Sequence, residues 1–445
     1  MNTPIVDFVK KYSDKKMIRA HMPGHKGEKI LGFEHLDITE IKGADTLFEC
    51  DSIIKESEKN ASEIFHSHTF YSTEGSSLCI RAMLHLTMLY AKKYRKNPLV
   101  LACRNVHKTF LSAVALNDLD VEWIYGDSES YLSSEISANA LDEKLCEMAV
   151  KPVAFYCTSP DYLGNVADIK ALSLVCKKHD VLFLVDNAHG AYLKFLNISA
   201  HPIDLGADMC CDSAHKTLPV LTGGAYLHIN CDADGFLVEN TKRAMALFAS
   251  TSPSYLILQS LDMCNSYLCD GYRERLQEFS QKVEKLKTEL LDCGYALCSK
   301  EQLKVTIATK SYGYTGTEFA QLLRENHIEC EFCDPDFVVL MLTPSMSDIE
   351  LEKIKSAFIS IKKKAPILSS PPKLKKPEKV LSIKEAVMSL SHTVKVENSI
   401  SKVLSDTSLS CPPAVPILVC GERVDESAVE CFKYYSITEC EVISE

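Results

Sequence analysis

The chain has 445 residues, which is too long for one compact core, so two or three domains are expected. Its hydrophobic fraction of 46% and charged fraction of 24% are ordinary for a globular protein. A formal net charge of −11 argues against nucleic-acid binding, which usually needs a basic surface. Residues 1–16 contain no signal-peptide apolar core, and no apolar run approaches the roughly 18 residues that span a bilayer. We therefore expect a soluble, cytoplasmic protein that binds neither nucleic acid nor membrane.

The 19 cysteines are numerous, but the length of the chain and its lack of an export signal favour reduced thiols over disulfides. Cys330 and Cys333 form one C-x-x-C, with no second pair that would complete a zinc site. The alternating pattern around them is typical of a strand. The sequence therefore predicts buried free thiols here and no metal site in the protein.

Residues 1 to about 70 are polar and are predicted to be irregular, with a loop at "RAHMPGHKGEKI". From about 70 to 230, apolar runs alternate with helical patterns, the first of which is "SSLCIRAMLHLTMLYAKKY". The short runs are "PLVLAC" (98–103), "KPVAFYC" (151–157) and "VLFLVD" (181–186). Such runs, separated by helices, predict parallel strands that are buried on both faces. The pattern indicates an α/β domain with a mostly parallel sheet.

The region after this domain begins with a long amphipathic helix (271–294) that ends at Gly294. Smaller strands and helices then alternate to about residue 363, which indicates a separate α+β domain. A segment rich in Pro, Lys and Ser follows and is predicted to be a linker. The predicted segments are therefore 1–70, 71–270, 271–363, 364–379 as the linker, and 380–445 as a C-terminal unit.

Polar residues cluster where the predicted strands end, which is where ligands bind in an open parallel sheet. They are Arg104 and His107, Thr158 and Ser159, and Asp186 and His189. A fourth cluster, Gly75, Ser76 and Ser77, begins a predicted helix. Each cluster alone has a structural interpretation, such as a helix cap. Together, hydroxyls and free N–H groups at a helix start suit a phosphate group.

A single lysine, Lys216, lies in the otherwise apolar stretch "CCDSAHKTLPVLTGGAYLHI" (210–229). A buried lysine without a role costs several kcal/mol, on the order of the penalty for an unpaired charge. Pyridoxal phosphate needs a lysine for its aldehyde, an acid that keeps its ring nitrogen protonated, and a phosphate cradle. Lys216 can supply the amine and Asp186 the carboxylate. His107 can stack on the ring, and the candidates for the phosphate are Ser76, Ser77, Ser213 and His215.

Over nearly its whole length the sequence closely resembles the ornithine/lysine/arginine decarboxylases, pyridoxal-phosphate enzymes of the aspartate-aminotransferase-like fold. The segments that carry the resemblance occur in the family's order. They are "RAHMPGHKG" (19–27), "DITEIKGADTLFE" (37–49), "STEGSS" (72–77), "CRNVHKTF" (103–110), "TSPDYLGNVADI" (158–169), "DNAHGAY" (186–192), "SAHKTLPVLTGGAYLH" (213–228) and "STSPSYLILQSLD" (250–262).

The resemblance implies a fold-type I large domain with a mostly parallel, seven-stranded sheet and a smaller α+β C-terminal part, without an N-terminal wing domain. It implies α-decarboxylation of arginine, lysine or ornithine to an amine and CO2, for polyamine biosynthesis. Because the segment that contains Thr251 reaches the neighbouring subunit's site in this family, at least a homodimer is expected. The implied catalytic residues are Lys216, Asp186, His107 and His189. The implied cofactor-binding residues are Gly75, Ser76, Ser77, His107, Thr158, Asp186, His189, Ser213, His215, Lys216 and Thr251.

The C-terminal segment "CPPAVPILVCGERVDE" (411–426) departs from the family's YPPGIP-like run and following PGE, although Pro412, Pro413, Pro416, Gly421 and Glu422 remain. This region borders the substrate side in the family, so the preferred basic amino acid stays open. Other enzymes of the fold, an aminotransferase or a cysteine desulfurase, share S-x-H-K. A non-catalytic protein that binds pyridoxal phosphate is a further alternative. "MPGHKG" and "STSPSY" favour the decarboxylase.

Overall fold

A computed structural model of the protein describes residues 1–126, 130–407 and 414–444, so Pro412 and Pro413 of the C-terminal motif lie outside the described residues. The helices are α1 (Pro4–Asp14), α2 (Ile53–Phe65), α3 (Gly75–Tyr94), α4 (Lys108–Asn117), α5 (Ala138–Glu147), α6 (Ile169–Lys178), α7 (Ala214–Thr217), α8 (Gly235–Ala246), α9 (Tyr255–Cys269), α10 (Tyr272–Asp292), α11 (Gly316–Glu325), α12 (Asp348–Ser360), α13 (Ile383–Met388) and α14 (Glu426–Tyr434). The strands are β1 (Ser67–Ser72), β2 (Leu99–Cys103), β3 (Asp120–Ile124), β4 (Ala154–Thr158), β5 (Leu182–Asp186), β6 (Met209–Asp212), β7 (Ala225–Asn230), β8 (Lys304–Ala308), β9 (Phe332–Cys333), β10 (Phe337–Met341), β11 (Ser391–Lys395) and β12 (Glu439–Ile443).

The main sheet has seven strands in the order β1-β7-β6-β5-β4-β2-β3. Strand β2 is parallel to β3 and β4, and β5 is parallel to β6. Strand β7 is antiparallel to both of its neighbours, β1 and β6. The mostly parallel α/β sheet is confirmed, and each of the three apolar runs that predicted a strand contains one: β2, β4 and β5.

The chain divides into two compact units, of which the first comprises residues 1–96 and 169–276. Within it, β5, β6 and β7 carry almost completely buried residues, as the continuous apolar runs require. Asp186 and Asp212 are the last residues of β5 and β6 and are buried at 3% and 0% exposure. Two carboxylates therefore lie at the ends of adjacent parallel strands.

The prediction of an irregular N-terminal segment is wrong, because α1 and α2 lie within it. Helix α1 has Pro4 at its first turn, which suits a position whose N–H has no partner within the helix. Its apolar residues Ile5, Val6 and Val9 share one buried face. The helix was missed because this short apolar face is surrounded by lysines and other polar residues.

The second unit comprises residues 97–168 and 277–445. It contains β2, β3 and β4, an antiparallel sheet β8-β10-β9, and an antiparallel pair β11–β12. Helix α10 confirms the predicted amphipathic helix, and Gly294 follows it with φ +87°, a left-handed conformation that favours glycine. Residues 364–378 carry neither helix nor strand. The division into five sequence segments stays a prediction.

Among the residues that the structure describes, no helix combines the length and the apolar character needed to cross a membrane.

Candidate active site

Lys216 lies in α7, a single helical turn that follows directly from the end of β6. Its Nζ is 2.9 Å from Nε2 of His189, which places the two predicted catalytic side chains within hydrogen-bond distance. The lysine is half-buried, whereas His189 is 5% exposed. The prediction of a buried lysine is therefore corrected, because Lys216 is partly exposed.

Asp186 ends β5 and precedes the loop that carries His189. Its Oδ1 accepts a hydrogen bond from the Ala188 N–H at 3.2 Å and one from the Cys211 thiol at 3.6 Å. Burial, and then the negative charge of Asp186, raise the pKa of Cys211 well above its ordinary value, so the thiol stays protonated and can donate. The carboxylate is therefore held in one orientation by donors from two chain segments.

Two of the predicted phosphate ligands meet at the start of α3. The Ser213 hydroxyl donates to Oγ of Ser76 at 2.9 Å, and no side chain caps the helix among the described residues. Ser77 lies one position further along the same helical turn. The first turn of a 20-residue helix therefore presents hydroxyl and N–H groups close to the lysine turn.

Gly75 differs from its predicted role, because its N–H is not free but donates to the Gly223 carbonyl at 2.7 Å. Its φ of +68° explains why a glycine begins this helix. Its contribution is thus to shape the turn from which Ser76 and Ser77 follow.

His215 packs near this helix start, where a Cβ added to Gly75 would lie 4.0 Å from His215 Cε1. The Nδ1 of His215 is 2.9 Å from the Gly224 carbonyl and therefore donates to it. Burial lowers the pKa of His215, and the Lys216 charge lowers it further. A contact from Nε2 to a phosphate thus requires the imidazolium, a form that a phosphate dianion favours.

Thr251 is exposed in the loop before α9. In the same loop the Ser250 N–H donates to the carboxylate of Glu74, the residue that precedes α3, at 2.7 Å. The loop thus lies beside the helix start that carries Ser76 and Ser77, with Thr251 facing solvent in the single chain.

His107 and Thr158 belong to the second unit. His107 is the N-cap residue of α4: its Nδ1 accepts from the Thr109 N–H at 3.2 Å and lies 2.9 Å from Thr109 Oγ1. Thr158 ends β4, and its hydroxyl donates to the Asn105 carbonyl at 3.4 Å. These contacts at Nδ1 fix the orientation of the His107 ring.

Arg104, which the sequence grouped with His107, has a structural role. Its Nη2 is 3.0 Å from Oε2 of Glu422 and 3.2 Å from the Ile417 carbonyl. The two side chains are 13% and 5% exposed. This buried ion pair connects the end of β2 to the C-terminal segment whose motif departs from the family.

The C-x-x-C thiols are half-buried rather than buried, which corrects the prediction. A hydrogen bond between them raises the pKa of Cys330 and lowers that of Cys333 to about 6. They follow α11 and reach only the two-residue strand β9, so the alternating pattern there does not extend into a fully covered strand.

Asp212, which lies one residue before Ser213, is absent from the predicted site residues. Its carboxylate accepts from Asn187 Nδ2 at 2.6 Å, from His201 Nε2 at 3.0 Å and from His228 Nε2 at 3.2 Å. All four residues are completely buried. The only signal in the sequence was an acidic residue inside an apolar strand pattern, which burial makes costly without such partners.

The chain is similar to known proteins in sequence and in fold. Residues 3–302 match the family described as Orn/Lys/Arg decarboxylase, major domain. An uncharacterized protein of Bacillus subtilis, YaaO, is 27% identical over 97% of this chain and 93% of its own length. An arginine decarboxylase of Halalkalibacterium halodurans is 26% identical over 96% of this chain and 91% of its own.

The solved structure of lysine decarboxylase A from Pseudomonas aeruginosa has a TM-score of 0.81 at 14% identity, covering 99% of this chain and 80% of that one, and so shares its fold. Because the family match covers about two thirds of the sequence, this chain belongs to the Orn/Lys/Arg decarboxylase family and is an amino-acid decarboxylase, a carbon–carbon lyase.

Proposed function

We propose that this chain is a pyridoxal-phosphate-dependent α-decarboxylase of a basic L-amino acid, releasing CO2 and the corresponding amine for polyamine biosynthesis in the cytoplasm. The observation that carries the proposal is the placement of Lys216 Nζ 2.9 Å from His189 Nε2, in the loops that follow β5 and β6. Asp186 ends the first of these strands as a buried, oriented carboxylate. A basic amino acid is the substrate class of the family.

The residues present fit pyridoxal phosphate. The uncapped start of α3, with Ser76, Ser77 and Ser213, offers donors to a phosphate dianion. Asp186 offers a carboxylate that is buried and held by N–H and S–H donors, as an acid facing a pyridinium nitrogen requires. Thr158 and His107 are further proposed contacts, as the family resemblance implies, and the cap at Nδ1 holds the His107 ring in one orientation.

When bound, pyridoxal phosphate supplies an aldehyde that bonds amines and a ring that accepts the electron pair left when CO2 departs. Lys216 Nζ would supply the amine that bonds this aldehyde, and His189 Nε2, 2.9 Å away, would exchange a proton with that amine. Asp186 would hold the proton on the ring nitrogen through its carboxylate. His107 would orient the ring from its face, while Ser76, Ser77 and Ser213 would bind the phosphate.

The preferred substrate and the assembly are part of the same proposal. Relatives named arginine decarboxylase, fold neighbours named lysine decarboxylase and the Orn/Lys/Arg description of the family support arginine, lysine and ornithine as the candidates. A homodimer or higher oligomer is proposed because Thr251 is exposed in a single chain, on a loop beside the α3 start. In the dimer, this residue would reach the phosphate of the neighbouring site.

The test is to follow the visible absorbance of the purified protein with pyridoxal phosphate while arginine, lysine and ornithine are added in turn. Released amine and CO2 are quantified for each. We expect the absorbance to change with one preferred substrate, which yields its amine and CO2 in equal amounts. Lys216→Ala is the control. It should show neither the absorbance band that depends on Lys216 nor any product.

Two outcomes contradict the proposal. If the absorbance band depends on Lys216 but no basic amino acid changes it, the protein binds the cofactor without catalysing decarboxylation. Formation of alanine and sulfide from cysteine, without CO2, would identify a desulfurase instead.

A further inference from the structure

Asp212 is a fully buried, hydrogen-bonded carboxylate that the proposed function does not use. It is the last residue of β6, and its side chain is 0% exposed. An isolated buried carboxylate costs several kcal/mol, on the order of the desolvation penalty of an ion. Three N–H donors, from Asn187, His201 and His228, meet its two oxygens and offset that penalty.

The two imidazoles determine the charge of this carboxylate. Burial by itself raises the pKa of Asp212, but His201 and His228 keep it well below the ordinary value for an aspartate. Burial also lowers the pKa of His228. The network is therefore an aspartate anion with neutral His228, whose Nε2 carries the proton that it donates.

The tautomer of His228 is held from its other side. Its Nδ1 is 2.9 Å from Oγ1 of Thr69 and 3.2 Å from Oγ of Ser67, both on β1. With the proton on Nε2, Nδ1 accepts from these hydroxyls. Hydroxyl groups of β1 thus orient an imidazole of β7, which in turn holds the carboxylate at the end of β6.

The carboxylate connects the two loops that carry the candidate catalytic residues. Asn187, which donates to it, follows Asp186 directly and precedes His189 by two residues. Asp212 itself precedes Ser213 directly and Lys216 by four residues. A backbone hydrogen bond from the Asn187 N–H to the Cys211 carbonyl, 3.0 Å long, joins the loops at the same level.

A glycine leaves the space that Asn187 needs. A Cβ at Gly190 would lie 2.0 Å from Oδ1 of Asn187, so any other residue there would displace the amide from Asp212. The Gly190 N–H also donates to the Asn187 carbonyl at 2.8 Å. The "DNAHG" segment is therefore shaped around this one amide.

From this geometry we infer that Asp212 is a positioning residue for the cofactor lysine: through Asn187 it sets the distance between the His189 loop and the Lys216 turn. The inference rests on the proposed function, because it takes Lys216 as the lysine that bonds pyridoxal phosphate. The charge matters as well as the shape. An amide at 212 would present an NH2 to the two imidazoles, each of which would then have to accept at Nε2.

That change is unfavourable for His201. A proton moved from Nε2 to Nδ1 would sit on a buried nitrogen that has no hydrogen-bond partner in the described part of the chain. An unsatisfied buried donor costs about 1–3 kcal/mol. The loops should then lose their fixed spacing, and Lys216 should hold the cofactor less well.

The experiment compares full-length wild type, Asp212→Asn, Asn187→Ala and Asp262→Asn, each loaded with pyridoxal phosphate. Asp262 is the matched control, because it is also 0% exposed and also binds three donors, the N–H groups of Ile5 and Val6 and the Ser57 hydroxyl. The measurements are the cofactor dissociation constant by equilibrium dialysis and the pH midpoint of the lysine-dependent absorbance band. Thermal unfolding is recorded for all four proteins.

We expect Asp212→Asn and Asn187→Ala each to raise the cofactor dissociation constant about tenfold or more, which corresponds to about 1.4 kcal/mol. Loss of the negative charge in Asp212→Asn should also lower the pH midpoint of the band. Asp262→Asn should lower the melting temperature. It should leave the cofactor dissociation constant within about twofold of wild type, less than about 0.5 kcal/mol, and the pH midpoint of the band unchanged.

If both site variants melt earlier but bind and titrate as wild type, Asp212 is merely structural and the inference is overturned. Should Asp212→Asn fail to fold, Asn187→Ala decides, since it removes only the link between the loops. Failure of the proposed function looks different, because wild type itself would then form no band that depends on Lys216.

Discussion

Two buried carboxylates of the first unit, Asp212 at the end of β6 and Asp262 in α9, are equally buried, but their pKa values are shifted in opposite directions. Both are 0% exposed and both accept three hydrogen bonds. The imidazoles hold the pKa of Asp212 well below its ordinary value, whereas burial raises the pKa of Asp262 to about 6. Burial penalises the anion in both places, so the kind of donor decides the outcome.

The two carboxylates also hold different parts of the molecule. Asp262 binds the first N–H groups of α1, and Ser57 links it to α2. Asp212 binds the loops that carry Asp186, His189 and Lys216. Asp262 therefore stabilises the N-terminal helices, whereas Asp212 supports the segments that carry the candidate catalytic residues.

The largest expected difference between the two regions is in turnover. Lys216→Ala should abolish decarboxylation, because it removes the amine beside His189 that the proposal assigns to the cofactor aldehyde. Asp262→Asn should retain activity near the wild-type level. Initial rates of CO2 release, with circular dichroism to check folding, measure this contrast, and measurable steady turnover by the Lys216 variant would break it.

Asp186→Asn is the next largest change. An amide cannot hold a proton on a ring nitrogen as a carboxylate does, so kcat should fall by several orders of magnitude, roughly the scale of a lost electrostatic catalytic group. The Ala188 N–H and Cys211 thiol can still donate to the amide oxygen, so stability should change little. A near-normal kcat would remove Asp186 from the chemistry.

Asp212→Asn should lower the free energy of unfolding by about 2 kcal/mol at neutral pH, because it leaves a buried imidazole donor unsatisfied. The folded pKa of Asp212 is lowered, so its contribution is present above about pH 4 and is lost as the pH falls further. Urea unfolding at pH 7 measures the first effect, and a series of unfolding curves at pH values below 4 measures the second. An equal stability of variant and wild type at pH 7 would show that the anion is not needed.

The pKa of Asp262 is shifted in the opposite direction, so its protonation changes the stability with the opposite sign. Its folded pKa of about 6 exceeds the unfolded value of 3.8, so the folded protein binds the proton more tightly. As the pH falls from about 6.5 to 4, wild type should gain stability relative to Asp262→Asn, on the order of 2–3 kcal/mol at 1.36 kcal/mol per pKa unit. Urea unfolding across this range measures the gain, and a constant difference between the two proteins would contradict the raised pKa.

The smallest effect is expected for Ser57→Ala. The Ser57 hydroxyl donates to Oδ1 of Asp262 at 2.6 Å and lowers its pKa, so its loss should move the Asp262 titration to higher pH. The cost at pH 7 should be about 1 kcal/mol, as for one buried hydrogen bond. The readout is the pH midpoint of the stability difference between wild type and Asp262→Asn, remeasured with the Ser57→Ala substitution added to both proteins. An unchanged or lower midpoint would argue against the hydroxyl as a donor.

The sequence alone located the strands β2, β4 and β5 and the polar residues at their ends, because strands buried on both faces of a parallel sheet have short, continuous apolar sequences. It also predicted Asp186 and Lys216 as site residues, since Asp186 ends such a run and Lys216 is the single lysine of an otherwise apolar stretch. Helix α10 and the glycine that follows it, Gly294, were also predictable from local sequence. The 3.6-residue periodicity of a helix and a left-handed residue after its end depend on no distant partner.

Only the tertiary structure decided which residues support those side chains. Asp212 meets His201, His228 and Asn187 because strand pairing and the intervening loop bring them together, and Arg104 meets Glu422 across 318 positions of the chain. Sequence patterns register period and composition, whereas the satisfaction of a buried charge depends on donors from distant segments converging on one point. For that reason sequence patterns predicted Lys216 and Asp186 as site residues, and only the fold could identify the hydrogen-bond network of Asp212.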